Sequence, residues 1–160
     1  KTILFLADPT RESKNFNLSQ KAFSLLNNPN VDLKVKCNLH KEDVPKVINA
    51  ADIILITSKW EGSPNVVKEA MACNKPIVAT NVGDIAWLFD NEPGHFLTDH
   101  TPNDVAQKLR LALEFVESEK CTKGRNRIFD LGLDSETIAN KIYSIYEALL
   151  NEKQGRGNSN

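Results

Sequence analysis

SKWEGSPNVVKEAMAC, residues Ser58 to Cys73, is the stretch whose reading decides the fold. It follows the apolar run Ile53-Ile54-Leu55-Ile56, short and branched enough for a parallel strand buried on both faces. The pattern then changes. Ser63 before Pro64 is a helix-start signal: a hydroxyl to cap orphan amides, and a proline at the first helical position, where its missing N–H costs nothing. Val66, Ala70 and Cys73, with Val67 and Met71 beside them, make the apolar stripe of a short helix. Asn74 ends it before Lys75-Pro76 opens the next strand. Strand, polar turn and helix form one unit, whose helix N-terminus offers free amides and a positive dipole end to an anion.

Two carboxylates lie in this unit eight positions apart, Glu61 in the turn and Glu69 on the helix. Glu69 shares the polar side of that helix with Asn65, Lys68 and Ala72, and so can face a cleft. An acid beside a phosphate-binding amide cluster repels phosphate, and its natural partner is a neutral hydroxyl, as a sugar supplies. The same spacing equally suits a solvated turn acid and a helix residue paired to lysine.

The run Glu61 to Val78, with Asn49-Ala50-Ala51-Asp52 before it and Val82-Gly83-Asp84 after it, resembles the donor-site signature of retaining GT-B glycosyltransferases of the family 4 type. The likeness is greatest to the branch that makes cell-surface polysaccharides. In those enzymes two glutamates bracket seven residues, followed by an Ala-Met-Ala helix and a Pro-Ile/Val strand. The resemblance runs from about Ile3 to Leu150.

Composition narrows the classes. A chain of 160 residues is one domain by length and large enough for a core; 41% hydrophobic and 26% charged residues are ordinary for a globular protein. A net charge of −1 argues against nucleic acid as a partner. Cys37, Cys73 and Cys121 are widely spaced, which suits a reducing, cytoplasmic setting and no metal site; His40, His95 and His100 lack ligand spacing and read as surface or loop residues. No apolar run approaches the roughly 18 residues of a membrane span. The chain opens on a strand without methionine or signal peptide, as a piece of something longer would.

In order, the pattern predicts a strand over Thr2–Ala7, a polar loop over Asp8–Asn15 and a helix over Leu18–Asn27, whose inner side is Ala22, Phe23, Leu25 and Leu26. Val31–Cys37 alternates like an edge strand, and Asp43–Ala50 is a short helix. After the central unit come a strand over Pro76–Thr80, a helix over Ile85–Asp90 and a brief strand over His95–Leu97. Thr101-Pro102 caps a helix to Ser118, Cys121–Leu131 is a weaker helix, and Asp134 caps the last one through Leu150. The inward stripe of that last helix is Ile138, Ile142, Ile145 and Leu149, and residues 151–160 read as a flexible tail. Alternating strands and helices predict an α/β, doubly wound, Rossmann-like parallel sheet over residues 1–150. The resembled family has two strand units between the first helix and the Ala-Asp strand, whereas Asn28–Ala51 has room for one, so the resemblance implies five strands in the order 2-1-3-4-5, a departure from the fuller six-strand sheet. Ligands of such sheets bind beyond the strand C-termini at the switch point, between the Asp8–Asn15 and Ser58–Asn65 loops.

The resemblance implies roles for these residues. Arg11 and Lys14 would neutralise the donor's diphosphate, with Arg11 closer to Lys14 than the family spacing. Glu69 would hold the ribose hydroxyls, and Glu61, the catalytic candidate, a donor-sugar hydroxyl. The Gly62-Ser63-Pro64-Asn65-Val66 turn would meet the β-phosphate or sugar, and the base would lie near Cys37–Leu39. The substrate would be an NDP-sugar, UDP- or GDP-linked, taken without metal or other cofactor. The acceptor would be a glycan or lipid-linked sugar. An N-terminal acceptor-binding domain would be the missing partner, through which the whole enzyme could meet a membrane surface; the isolated domain would transfer nothing. A sugar-nucleotide epimerase of the same architecture and a non-catalytic binding module of the receiver type stand as alternatives. The first needs acid–base residues, and the second an acidic pair after strand one, where Asp8 stands alone.

Overall fold

The computed structural model describes residues 1–119 and 121–157, with side chains through Asn151. Residues Lys1–Arg127 form one compact unit, and a second begins at Ile128. In chain order the first holds β1 (Thr2–Leu6), a 3-10 turn (Glu12–Lys14), α1 (Phe16–Leu26), β2 (Asp32–Lys36), α2 (Val44–Asn49), β3 (Ile53–Ile56), α3 (Asn65–Ala72), β4 (Ile77–Thr80), α4 (Ile85–Phe89), β5 (His95–Thr98) and α5 (Pro102–Ser118). Then α6 (Gly124–Asp130) crosses into the second unit, which continues as α7 (Ser135–Gly157).

All five strands are parallel, in the order β2-β1-β3-β4-β5. Every residue of β3 and β4 is buried, as their unbroken apolar runs require. At the β2 edge only Leu33 and Val35 are half-buried between exposed neighbours, which is the alternation of the sequence made visible. Ile3, Ile53, Leu55 and Val78 pack with Leu18, Ala22 and Leu26 of α1 and with Val105, Leu109, Ala112 and Val116 of α5. The side-chain period of two sends Leu4, Ile54, Ile56 and Ile77 to the other face, the side of Ile48, Val67, Met71 and Leu88. Each such fully buried aliphatic side chain contributes roughly 1.5–3 kcal/mol.

Helix ends follow local chemistry. Thr101 accepts from the Asp104 amide with Pro102 in the first turn, as the sequence predicts, and Asn74 takes a left-handed φ of 54° after α3. Asn15, at φ 49°, separates the 3-10 turn from α1, which therefore begins at Phe16. Leu25, expected on the inner side of that helix, is 43% exposed.

Three further expectations fail. Ser63 is no helix cap: α3 starts at Asn65, Pro64 stands in the cap position, and the Ser63 hydroxyl is engaged elsewhere. His95 sits in β5, as the brief strand over His95–Leu97 predicts, but it is no surface residue: it is largely buried, stacked on Phe89 at 4.7 Å. Neither of its ring nitrogens has a hydrogen-bond partner among the described residues. In the second unit Asp134 caps α7 by accepting from the Thr137 amide, yet the stripe is not inward: Ile138, Ile142, Ile145 and Leu149 are 39–60% exposed. Periodicity specifies a helix face and leaves its partner open. That helix also runs on to Gly157, into the residues read as a tail; of that tail, residues 158–160 lie outside the described residues.

Candidate functional site

At the C-terminal ends of β1 and β3 two loops meet, and the backbone ties them together. The Lys59 amide donates to Ser13 O (2.8 Å), and the buried Thr57 hydroxyl lies 3.1 Å from both Lys14 O and Asn15 O. Ser19 of α1, fully buried, completes this knot at 2.8 Å from Thr57 Oγ1. Outside, Lys59 pairs with Glu12 at 2.6 Å, and that ammonium holds the Glu12 carboxyl below its usual range. The Asp8 carboxyl is likewise lowered, first by the Thr10 hydroxyl and then by the Thr10 amide.

The crevice so framed has two parts. One is a cavity of about 290 Å³ lined by Ala7, Asp8, Arg11, Lys36–Leu39, Val44, Val66 and Glu69. Glu69 thus faces the cleft with exposed Arg11 across it, at the end of β2 where the base is expected. The other part is the turn over Glu61. Lys14 Nζ pairs with Glu61 Oε1 at 2.5 Å, and the buried Ser58 hydroxyl donates to the same oxygen at 2.7 Å. Val66 is common to both parts, since it also stands beside Lys14, Thr57 and Ser58. Arg11 therefore lines the cavity with Glu69, and Lys14 stands at the Glu61 turn, so the two cations occupy different parts of the crevice.

The turn carrying Gly62, Ser63 and Pro64 is braced from β4. Thr80 Oγ1 donates to Ser58 O (2.7 Å), the Asp84 amide to Gly62 O (3.1 Å), and the Ser63 hydroxyl to Asp84 Oδ2 (2.5 Å). Gly83, at φ 59°, lies so close that a Cβ there would stand 2.3 Å from Gly62 O. Pro64 is buried, and exposed Asn65 opens α3, whose first turn presents the Asn65 and Val66 amides. Donors at a helix N-terminus beside two cations suit an anion; two carboxylates flanking them suit hydroxyls.

Sequence reasoning missed the hydroxyls that brace the loops, Ser19, Thr57, Ser58 and Thr80, and also Lys36 and Val44 in the cavity. Thr57 and Thr80 do carry a signal: each is a hydroxyl closing an apolar strand, where the backbone turns polar. A larger cavity of about 580 Å³ lies near the start of β5, at the other end of the sheet, between Glu92 and Lys123. It shares no residue with the crevice. Among the described residues no three His, Cys, Asp or Glu side chains gather as a metal site, and no helix is long and apolar enough to cross a membrane.

The chain is a member of the family described as glycosyl transferases group 1, whose model matches residues 18–114. It is 28% identical over 108 residues to the UDP-Gal:alpha-D-GlcNAc-diphosphoundecaprenol alpha-1,3-galactosyltransferase of Escherichia coli, covering 66% of this chain and 28% of that one. It is 28% identical over 135 residues to the capsular polysaccharide biosynthesis glycosyltransferase CapM of Staphylococcus aureus, covering 82% and 34%. The structure of Anabaena Alr3699/HepE in complex with UDP and glucose superposes with a TM-score of 0.69 over 91% of this chain and 48% of that one, at 19% identity. That likeness is one of fold: the chain has the architecture of half a GT-B glycosyltransferase. It spans about a third of the length of the curated relatives it matches.

Proposed function

We propose that this chain is the C-terminal, donor-binding domain of a retaining glycosyltransferase that takes a nucleotide-sugar, UDP-linked before GDP-linked. The observation that carries the reading is Glu69, a helix carboxylate turned into the same cavity as Arg11 and the Lys36–Leu39 segment, one helical turn from the α3 amides. Glu69 accepts from the ribose hydroxyls, and the Cys37–Leu39 backbone flanks the base. The Asn65 and Val66 amides, Lys14 and Arg11 carry the diphosphate, and no metal is required. Glu61 accepts from a hydroxyl of the donor sugar.

Transfer breaks the bond between the anomeric carbon and the β-phosphate oxygen. The acceptor hydroxyl bonds to that carbon on the same face and gives its proton to the departing phosphate. Charge grows on the diphosphate, so the cations and the helix N-terminus stabilise the transition state more than the ground state. The acceptor is a glycan or lipid-linked sugar of cell-surface polysaccharide synthesis, handled at the cytoplasmic side by an N-terminal domain outside this chain. The relatives' greater length and the exposed apolar face of α7 both support such a domain.

Calorimetric titration with UDP, GDP and ADP in EDTA tests the reading. One of the three binds, and Glu69→Ala weakens it by about 1–3 kcal/mol through lost charged hydrogen bonds. Binding of none, or strict Mg²⁺ dependence, overturns it.

A further inference from the structure

Lys14 already has a carboxylate partner in the crevice. Its ammonium sits 2.5 Å from Glu61 Oε1, with both side chains less than 20% exposed, while Arg11 stands at the exposed rim. We infer that Glu61 and the diphosphate compete for Lys14, so that the site discriminates against a nucleoside diphosphate without its sugar; the inference rests on the donor-site reading above.

Each partner is held in a way that makes the competition local. The Lys14 backbone is pinned through its amide to Arg11 O (3.0 Å) and through its carbonyl to Thr57, so only its flexible side chain has freedom to turn. Glu61 does not depend on Lys14 for its place. The Ser58 hydroxyl holds the same oxygen at 2.7 Å, and Ser58 is itself buried and fixed by Thr80. When a diphosphate draws the ammonium away, Glu61 stays where it is, a half-buried carboxylate that has lost its cation. Such a group is costly until a donor replaces the lost contact. A donor-sugar hydroxyl does so; a bare nucleoside diphosphate does not. The complete donor is therefore favoured over the spent nucleotide, which eases product release.

Calorimetry with UDP and with uridine on the wild-type chain, Glu61→Gln, Lys14→Ala and the double variant tests this. Glutamine keeps the shape and the Ser58 contact while removing the charge. Glu61→Gln is expected to bind UDP about three- to tenfold more tightly, as loss of a competing close ion pair predicts. Uridine affinity stays unchanged, and the gain disappears in the Lys14→Ala background, where there is nothing left to compete for. Equal or weaker UDP binding by Glu61→Gln overturns the inference, as does a gain of the same size without Lys14, which marks plain charge repulsion. The donor-site reading fails separately, through a Lys14→Ala chain that binds UDP as tightly as wild type. Lys14→Met, which keeps the apolar stem, replaces the alanine variant if melting shows that alanine unfolds the chain.

Discussion

Replacing Gly83 by alanine should damage the site from a position that lines neither part of the crevice. Its φ of 59° alone costs a residue with a side chain about 1–2 kcal/mol. The new Cβ would stand 2.3 Å from Gly62 O and 2.8 Å from Glu61 O, and both obstacles are backbone. The turn must therefore retreat by about 1 Å, a displacement that costs on the order of 100-fold where catalytic geometry is concerned. The Asp84 N–H bond to Gly62 O stretches with it, adding about 0.5–1.5 kcal/mol. Together the loss is about 1.5–3.5 kcal/mol, read by urea denaturation, with a loss of UDP affinity by calorimetry beside it. Unfolding free energy within about 0.5 kcal/mol of wild type, with unchanged UDP binding, would refute the claim that Gly83 shapes the Glu61–Ser63 turn.

Two other perturbations probe the frame around the crevice. Thr57→Val orphans the buried Ser19 hydroxyl and frees the carbonyls of Lys14 and Asn15. It should cost about 1–3 kcal/mol in urea denaturation and weaken UDP binding as the first loop loosens; full retention of both shows that the knot is idle. Burial pushes the His95 imidazole down to about 4. The unfolded chain, with an ordinary histidine near 6.5, then binds the extra proton first. Stability due to neutral His95 is therefore whole above about pH 6.5 and drains away as pH falls towards 4, by up to about 3 kcal/mol. His95→Phe, which keeps the stack on Phe89, should flatten that part of the pH–stability curve; an unchanged slope would mean that His95 is not the group that titrates.

The fold was legible because its signals are local and strong. Four branched residues in a row between turn signals fit a doubly covered strand, and the alternation in Val31–Cys37 marks an edge; the strand order follows from the resembled family once the Asn28–Ala51 interval is seen to hold a single strand unit. At the site, Glu69 could be read from its place on the polar side of α3, and the loop Asp8–Asn15 from its position after the first strand. The pairing of Lys14 with Glu61 could not, because it joins residues 47 apart through the geometry of two crossing loops. Ser63 misled for a related reason: a hydroxyl before proline is a good cap locally, but Asp84, brought in from the end of β4, competes for it and wins. His95 follows the same pattern, a polar residue buried by its strand and not by any property of its neighbours in sequence.

A nucleoside diphosphate is expected to occupy the crevice between the ends of β1, β2 and β3. Amide NMR spectra of the chain titrated with UDP in EDTA test it most directly. Shifts are expected only in Asp8–Asn15, Lys36–Leu39 and Gly62–Glu69, and are lost in Glu69→Ala at the same UDP concentration. Shifts centred instead on the cavity between Glu92 and Lys123, or a spectrum unmoved by UDP, GDP and ADP alike, would contradict it.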